Sequence, residues 1–414
     1  MAGGGLPKPP PPAILPPIRP PEPGKEGGMI YETLGIPTVI NAAGTVTRLS
    51  GGLMHPDVAE AMRQASLACV DMLHMQAAAC RAIRAATGAE SGIVTSGASA
   101  AVLLGTAACL AGRDPGRMNR LPDVPDGRRT FIVVRSQRNM YDRAMVVAGA
   151  RLLEVGIPDR FSGPGIRDAG AWEIEDAIGP DTAGIYYLAQ TQSKPELRDI
   201  AALARRHGLP VLVDAAAQLP PASNLRAYLD EGADLVCFSG GKALGGPQSS
   251  GILAGRADLV ASALIQMLDM DVDTAAWSPP REFAALSQLR GLPHHGIGRS
   301  CKVGKEEIAG LITALNRFVA DDHAARLARL RARLDRILNA AGGTDLAIHE
   351  TNIPVLAWTV GPAAPAMAAR LLAGSPAIAC GLSRQDDGIL LFNPMAITED
   401  QGDAIGRAIA ALRA

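Results

Sequence analysis

Along most of the chain, short apolar runs alternate with stretches in which apolar residues recur every three or four positions. The runs "SGIVT", "TFIVV", "ARLLEV", "AGIYYLA", "PVLVDAA", "DLVCFS" and "GILAG" suit strands buried on both faces. Between them lie helical patterns. "HPDVAEAMRQASLACV" starts a helix with Pro56 and Asp57 in its first turn, and "LRDIAALARRHG" ends on a glycine stop. Strand alternating with helix predicts an α/β fold, with a mostly parallel sheet sandwiched by helices. "TVINAAG" is an extended entry into this region.

After "GIGRSCKVGKEE" the texture changes. Ile308, Leu311, Ile312, Leu315 and Phe318 recur at helical spacing, and Leu327, Leu330, Leu334 and Ile337 continue the stripe towards Gly342. The pattern predicts a long helix that leads into a smaller α+β C-terminal domain, whose strands are "NIPVLAWTV" and "GILLFNP". The expected organisation is a proline-rich arm over 1–28, an N-terminal segment over 29–60, a large domain over 61–300, and a linking helix with a small domain over 301–414. In the arm, "PKPPPPAILPPIRPPEP" can form neither helix nor sheet and suits an extended polyproline-type segment.

Composition narrows the function classes. Forty basic residues against 41 acidic ones leave no basic excess to suggest nucleic acid or a membrane surface. The uncharged stretch from Ser91 to Gly112 is long enough to span a bilayer. It nevertheless opens with "SGIVT" and a "TSGASA" turn, so it reads as a strand, a tight turn and a helix. Six cysteines form no C-x-x-C pair, which suits reduced thiols in a cytoplasmic enzyme without a metal site.

Three features fall at predicted strand ends, where open α/β sheets bind ligands. "VTSGASA" places Ser96, Gly97 and Ala98 between a strand and a helix. The backbone amides there suit a phosphate, although a plain helix cap reads the same way. Asp214 ends the apolar strand "PVLVD", either as a desolvated carboxylate needing a cation or as a helix cap. Lys242 lies in "FSGGKALGGPQSSG", a turn between two core strands where a lone charge is costly. The chain has neither a Walker-type nor a G-x-G-x-x-G motif, but a shielded lysine can form a Schiff base. Together the three describe a pyridoxal 5′-phosphate (PLP) site, with a cup for the phosphate, a carboxylate for the pyridine nitrogen and a lysine for the aldehyde.

"INAAGTVTRLSG", "TGAESGIVTSGASAAVLLGTAACLAG", "RNMYDRAMVVAGARLLEVG", "VDAAAQLPP", "FSGGKALGGPQSSGIL" and "GIGRSCKVGKEE" occur in one order between about Ile30 and Pro394. In these stretches the chain resembles the selenocysteine synthase (SelA-like) branch of fold-type I PLP enzymes, and within it the D-glucosaminate-6-phosphate ammonia-lyase type. The resemblance implies that Lys242 and Asp214 are catalytic. It also implies that Ser96, Gly97, Ala98, Gln218 and Ser239 hold the cofactor, and that Gly246 and Gln248 reach a neighbouring subunit's cofactor. That last point implies a homodimer or larger assembly. Arg299 and Lys302 match a basic pair aimed at an anionic substrate, and Arg48 comes from the N-terminal segment that folds over the active site in the family.

Two departures qualify the substrate. The tRNA-handling N-terminal domain of selenocysteine synthases is replaced by the arm, and their "SGDK" reads "SGGK" here, so transfer RNA is not expected as a partner. Gln137 stands where related lyases often have a histidine able to stack on the cofactor, so either Asn139 or Tyr141 covers that face or the reaction scope has shifted. The expected activity is a PLP-dependent α,β-elimination of the ammonia-lyase type. It would act on an amino acid or 2-amino sugar acid, phosphorylated or not, and give a 2-oxo acid and ammonia. A racemase or epimerase, an aldolase or a β-replacement transferase would use the same residues, and a non-catalytic binding module on this fold is a further alternative.

Overall fold

The computed structural model describes residues 29–124, 127–157, 169–190 and 193–413; the proline-rich arm lies outside the described residues. In chain order the strands are β1 (Ile40–Ala42), β2 (Ser91–Thr95), β3 (Thr130–Val134), β4 (Arg151–Val155), β5 (Thr182–Leu188) and β6 (Val211–Asp214). They continue with β7 (Leu235–Ser239), β8 (Gly251–Gly255), β9 (Leu346–Glu350), β10 (Pro354–Thr359), β11 (Ile378–Cys380) and β12 (Ile389–Phe392).

Among the described residues the central sheet has seven strands in the order β2-β8-β7-β6-β5-β3-β4. Strand β8 runs antiparallel to both neighbours, and the other pairs are parallel. Strands β2, β3, β6 and β8 are buried throughout, which is why they read as unbroken apolar runs. Helix 98–111 packs on this sheet. At Gly105 an added Cβ would come within 3.1–3.4 Å of Leu212, Leu235 and Leu253, so the small residue lets helix and sheet approach closely. No described helix is long and apolar enough to cross a membrane.

The expected linking helix is two helices, Lys305–Ala320 and His323–Ala341. Asp321 is extended, and the Asp322 side chain caps the second helix by accepting from the Ala325 amide at 2.8 Å. The apolar stripe therefore divides at the aspartates. Ile308, Leu311, Leu315 and Phe318 join the large core, whereas Leu334 and Ile337 join the small one. Ile40 and Ala42 also belong to the small core, because β1 pairs with β11 in parallel. The N-terminal segment thus bridges the two ends of the chain on its way to the sheet edge. The cysteines are all free thiols, with Cys80, Cys237 and Cys380 buried.

Candidate active site

Strand register alone brings the three chemical features together. Gly251, at the start of β8, pairs with Thr95 at the end of β2 and with Ser239 at the end of β7, while Asp214 at the end of β6 pairs with Cys237. The phosphate turn, the lysine turn and the aspartate therefore share one edge of the sheet. An added Cβ at Gly251 would lie 2.5 Å from the Gly97 carbonyl carbon and 2.7 Å from the Ala98 nitrogen, so the glycine admits the phosphate turn.

In that turn, Gly97 has φ +124°, a conformation costly for other residues, and open space around its missing side chain. Helix 98–111 begins directly after it and leaves its first amides without intrahelical acceptors. The Thr95 hydroxyl donates to the Gly97 carbonyl at 2.9 Å and the Ser96 hydroxyl to the Cys301 carbonyl at 2.9 Å. The hydroxyl protons are thus committed to the turn itself. Backbone amides, starting with that of Ala98, are the donors left for a phosphate.

Asp214 is 5 % exposed. Its Oδ2 accepts from the Tyr186 hydroxyl at 3.0 Å, and its Oδ1 accepts from the Ala216 amide at 3.0 Å with the Cys237 thiol at 3.7 Å. No cation lies within ion-pair distance of it among the described residues. Burial, and then the neighbouring carboxylate, push the Tyr186 phenol far above its ordinary pKa, so it remains a donor. The Asn139 side chain also reaches Tyr186. Sequence reasoning missed Tyr186, because within "AGIYYLA" it looked like one more strand residue.

Lys242 follows a tight reversal. The Gly240 amide donates to the Ser250 carbonyl and the Gly246 amide to the Gly240 carbonyl, both at 2.9 Å. An added Cβ at Gly241 would lie 2.6 Å from the Gln248 Cα. The ammonium of the half-buried lysine makes no ion pair or hydrogen bond among the described residues, while its carbonyl accepts from the Gly245 amide at 2.9 Å. Burial pushes its ammonium below the ordinary lysine value, and the Asp214 carboxylate partly opposes this. A buried carboxylate without a cation, an unpaired lysine and a cup of free amides match the pyridine nitrogen, aldehyde and phosphate of PLP. The residues fit the cofactor.

The other expected residues are placed variously. Ser239 is half-buried at the end of β7, and Gln218 sits in the turn after Asp214, where its carbonyl accepts from Asn224 at 2.7 Å. Gly246 lines a cavity of about 170 Å³ together with Lys242, and Gln248 is exposed with its side chain beside Gly51 of the same chain. Gln137 is a brace: its Oε1 accepts from the Leu188 amide at 3.0 Å and its Nε2 donates to the Lys194 carbonyl at 3.2 Å. Arg48 is exposed on a short turn, and the N-terminal segment reaches the Lys242 cavity through Thr45 and Gly52 instead. Arg299 pairs with Asp269 at 2.8 Å, and with Lys302 it lines a different cleft of about 1090 Å³. The Lys242 cavity is bordered by Arg326, Arg329 and Arg333 of helix 323–341. In "RLARLRARLDR" only the leucines carried a signal, so these arginines also went unnoticed.

Comparison with known proteins agrees with this geometry. The SelA family model, described as L-seryl-tRNA selenium transferase, matches residues 39–271. The chain is 30 % identical to a 5′-C-glycyluridine monooxygenase-decarboxylase from Streptomyces, covering 92 % of this chain and 91 % of that protein. It is 27 % identical to the D-glucosaminate-6-phosphate ammonia lyase of Salmonella typhimurium, over 90 % and 94 % of the two chains. A solved structure of D-glucosaminate-6-phosphate ammonia-lyase superposes with a TM-score of 0.74 at 25 % identity, covering 92 % of this chain and 97 % of the other. The fold is that of fold-type I PLP enzymes. The chain belongs to the SelA family and is a PLP-dependent enzyme.

Proposed function

We propose that this protein is an ammonia-lyase that removes the elements of water from an anionic amino acid or 2-amino sugar acid. The enamine so formed would hydrolyse to a 2-oxo acid and ammonia. The observation that carries the reading is the presence, on one sheet edge, of a buried carboxylate without a cation and a half-buried lysine without a partner. Asp214 accepts from Tyr186 and the Ala216 amide but has no cation within ion-pair distance among the described residues, and the Lys242 ammonium has no partner beside a cavity rimmed with arginines. The likeness to the Salmonella ammonia lyase over nearly the whole of both chains supports the same reading.

The bound cofactor supplies an electron sink for the pair left behind when a proton leaves the substrate's α-carbon. Asp214, held by Tyr186 and the Ala216 amide, keeps a proton on the pyridine nitrogen and so maintains that sink. Amides at the start of helix 98–111 would hold the cofactor's phosphate. Lys242 Nζ would hold the cofactor's aldehyde carbon in the resting enzyme and, when free of it, would take the substrate's α-proton. Its depressed proton affinity, caused by burial, keeps a larger neutral fraction available for that transfer. Ser96, Gln218, Ser239, Gly246 and Gln248 are assigned to cofactor binding, with the last two serving a homodimer or larger assembly in the cytoplasm. Exposed Leu67 and Val70, beyond the end of helix 56–65, support a second copy on that face.

Relatives named for ammonia elimination, for oxidative decarboxylation and for selenium transfer share this scaffold, so the assay must separate these fates. Purified protein saturated with PLP should release ammonia and 2-oxo acid in equal amounts from a panel of 3-hydroxy-2-amino acids and sugar acids. Carbon dioxide release with oxygen uptake, or racemisation with no ammonia, would sink the lyase reading.

A further inference from the structure

The rim of the Lys242 cavity carries more positive charge than the protein neutralises. Arg326 and Arg329 share one carboxylate, that of Asp321, with N–O distances of 3.0 and 2.6 Å. Arg326 also donates to the Phe318 carbonyl at 2.7 Å and lies over the Phe318 ring at 4.0 Å, yet its Nη1 is buried without a partner. Arg333 donates to the Pro394 carbonyl at 2.9 Å and has no carboxylate within ion-pair distance among the described residues. Burial of its guanidinium lowers its proton affinity. Nearby acids pair elsewhere: Asp57 with Arg317, and Glu399, Asp400 and Asp403 with Arg336, although Glu399 also acts electrostatically on Arg333. Three guanidinium groups therefore face one carboxylate.

Counted over direct ion pairs, these three guanidinium groups exceed their carboxylate by two positive charges, beside the lysine that would hold the cofactor. Guanidinium charge that lacks its own counter-ion is costly where it is partly desolvated, and an oxyanion accepting several N–H donors offsets that cost. A carboxylate would neutralise one charge, whereas a phosphate monoester carries roughly 1.5 to 2 negative charges at neutral pH. Arg299 is less available for this task, being paired with Asp269 and facing another cleft.

We propose that Arg326, Arg329 and Arg333 form the subsite for a phosphate dianion on the substrate, making the preferred substrate a phosphorylated amino acid or amino sugar acid. The inference rests on the active site at Lys242 and names the group that enters it.

The test uses PLP-saturated protein, so that the cofactor's own phosphate cup is filled, and inorganic phosphate as the probe. Calorimetry is run on the native protein and on Arg329→Gln, Arg333→Gln, Arg333→Lys and Arg299→Gln, with acetate as the monoanion control. Phosphate should bind the native protein at least about tenfold more tightly than acetate. It should weaken by about tenfold or more in Arg329→Gln and Arg333→Gln, since each loses charge-assisted hydrogen bonds. Arg333→Lys should recover part of the affinity, and Arg299→Gln should match the native protein. Unchanged phosphate affinity in both glutamine variants, loss only in Arg299→Gln, or acetate equal to phosphate would overturn the proposal. The visible band of bound PLP, recorded on each sample, tests the active-site reading separately. A native protein with the band but no phosphate binding would refute the subsite alone.

Discussion

Replacing Asp214 by asparagine keeps the size of the side chain and removes its charge. In the structure the carboxylate accepts from the Tyr186 hydroxyl and the Ala216 amide, both at 3.0 Å. Tyr186 can rotate its hydroxyl to suit an amide, so the fold around residue 214 should survive. The cofactor's ring nitrogen, by contrast, loses a charge-assisted hydrogen bond in a buried setting. Hydrogen bonds to charged groups are worth about 1.5–3 kcal/mol, which corresponds to roughly 10- to 150-fold in a dissociation constant. Turnover should fall further than affinity, because an unprotonated ring is a poor electron sink. Titration of the apoprotein with PLP, followed by its visible band, measures the first effect, and ammonia release at saturating PLP measures the second. A dissociation constant within about threefold of the native value, with turnover retained, would refute the role assigned to Asp214.

Three other perturbations have expected outcomes. Gly97→Ala forces a Cβ onto a backbone at φ +124°, a conformation costing about 1–3 kcal/mol, and should weaken PLP binding while the open space there prevents a clash; titration and a melting curve check this. Tyr186→Phe removes the phenolic donor from the buried Asp214 and should destabilise the apoprotein by about 1–2 kcal/mol, measured by urea unfolding; no change would mean the bond contributes nothing. Lys242 has a folded-state proton affinity below its unfolded one because of burial, so the folded apoprotein binds fewer protons than the unfolded chain between those two values. Stability should therefore rise with pH as the medium approaches the ordinary lysine pKa of 10.5, and Lys242→Met should flatten that rise in unfolding curves taken from pH 7 to 10.

The central sheet was legible because most of its strands are buried on both faces and so appear as compact apolar runs, with β4 the more exposed exception. The proposed site lies at or just beyond the ends of β2, β6 and β7, which is why Ser96, Asp214 and Lys242 stood out before their contacts were known. The second core was harder to read. Strands β1 and β11 are three residues each and pair across the whole length of the chain, and no local pattern encodes such a contact. The break at Asp321 and Asp322 was hidden because leucines continue on both sides of it at helical spacing. Tyr186 and the three arginines escaped for a related reason. Each sits in an element whose periodicity explains it without chemistry, and only the approach of Asp214 or Lys242 gives it a function. Gln137 illustrates the reverse case: a departure noticed in the sequence turns out to brace β5 through Leu188 and Lys194.

The most direct test of the account is borohydride reduction of the PLP-loaded protein, followed by proteolysis and mass mapping. One cofactor fixed to the peptide containing Lys242, with loss of the visible band and no labelling of Lys242→Ala, is the predicted result. Labelling of another lysine, or no reducible band after addition of PLP, would contradict it.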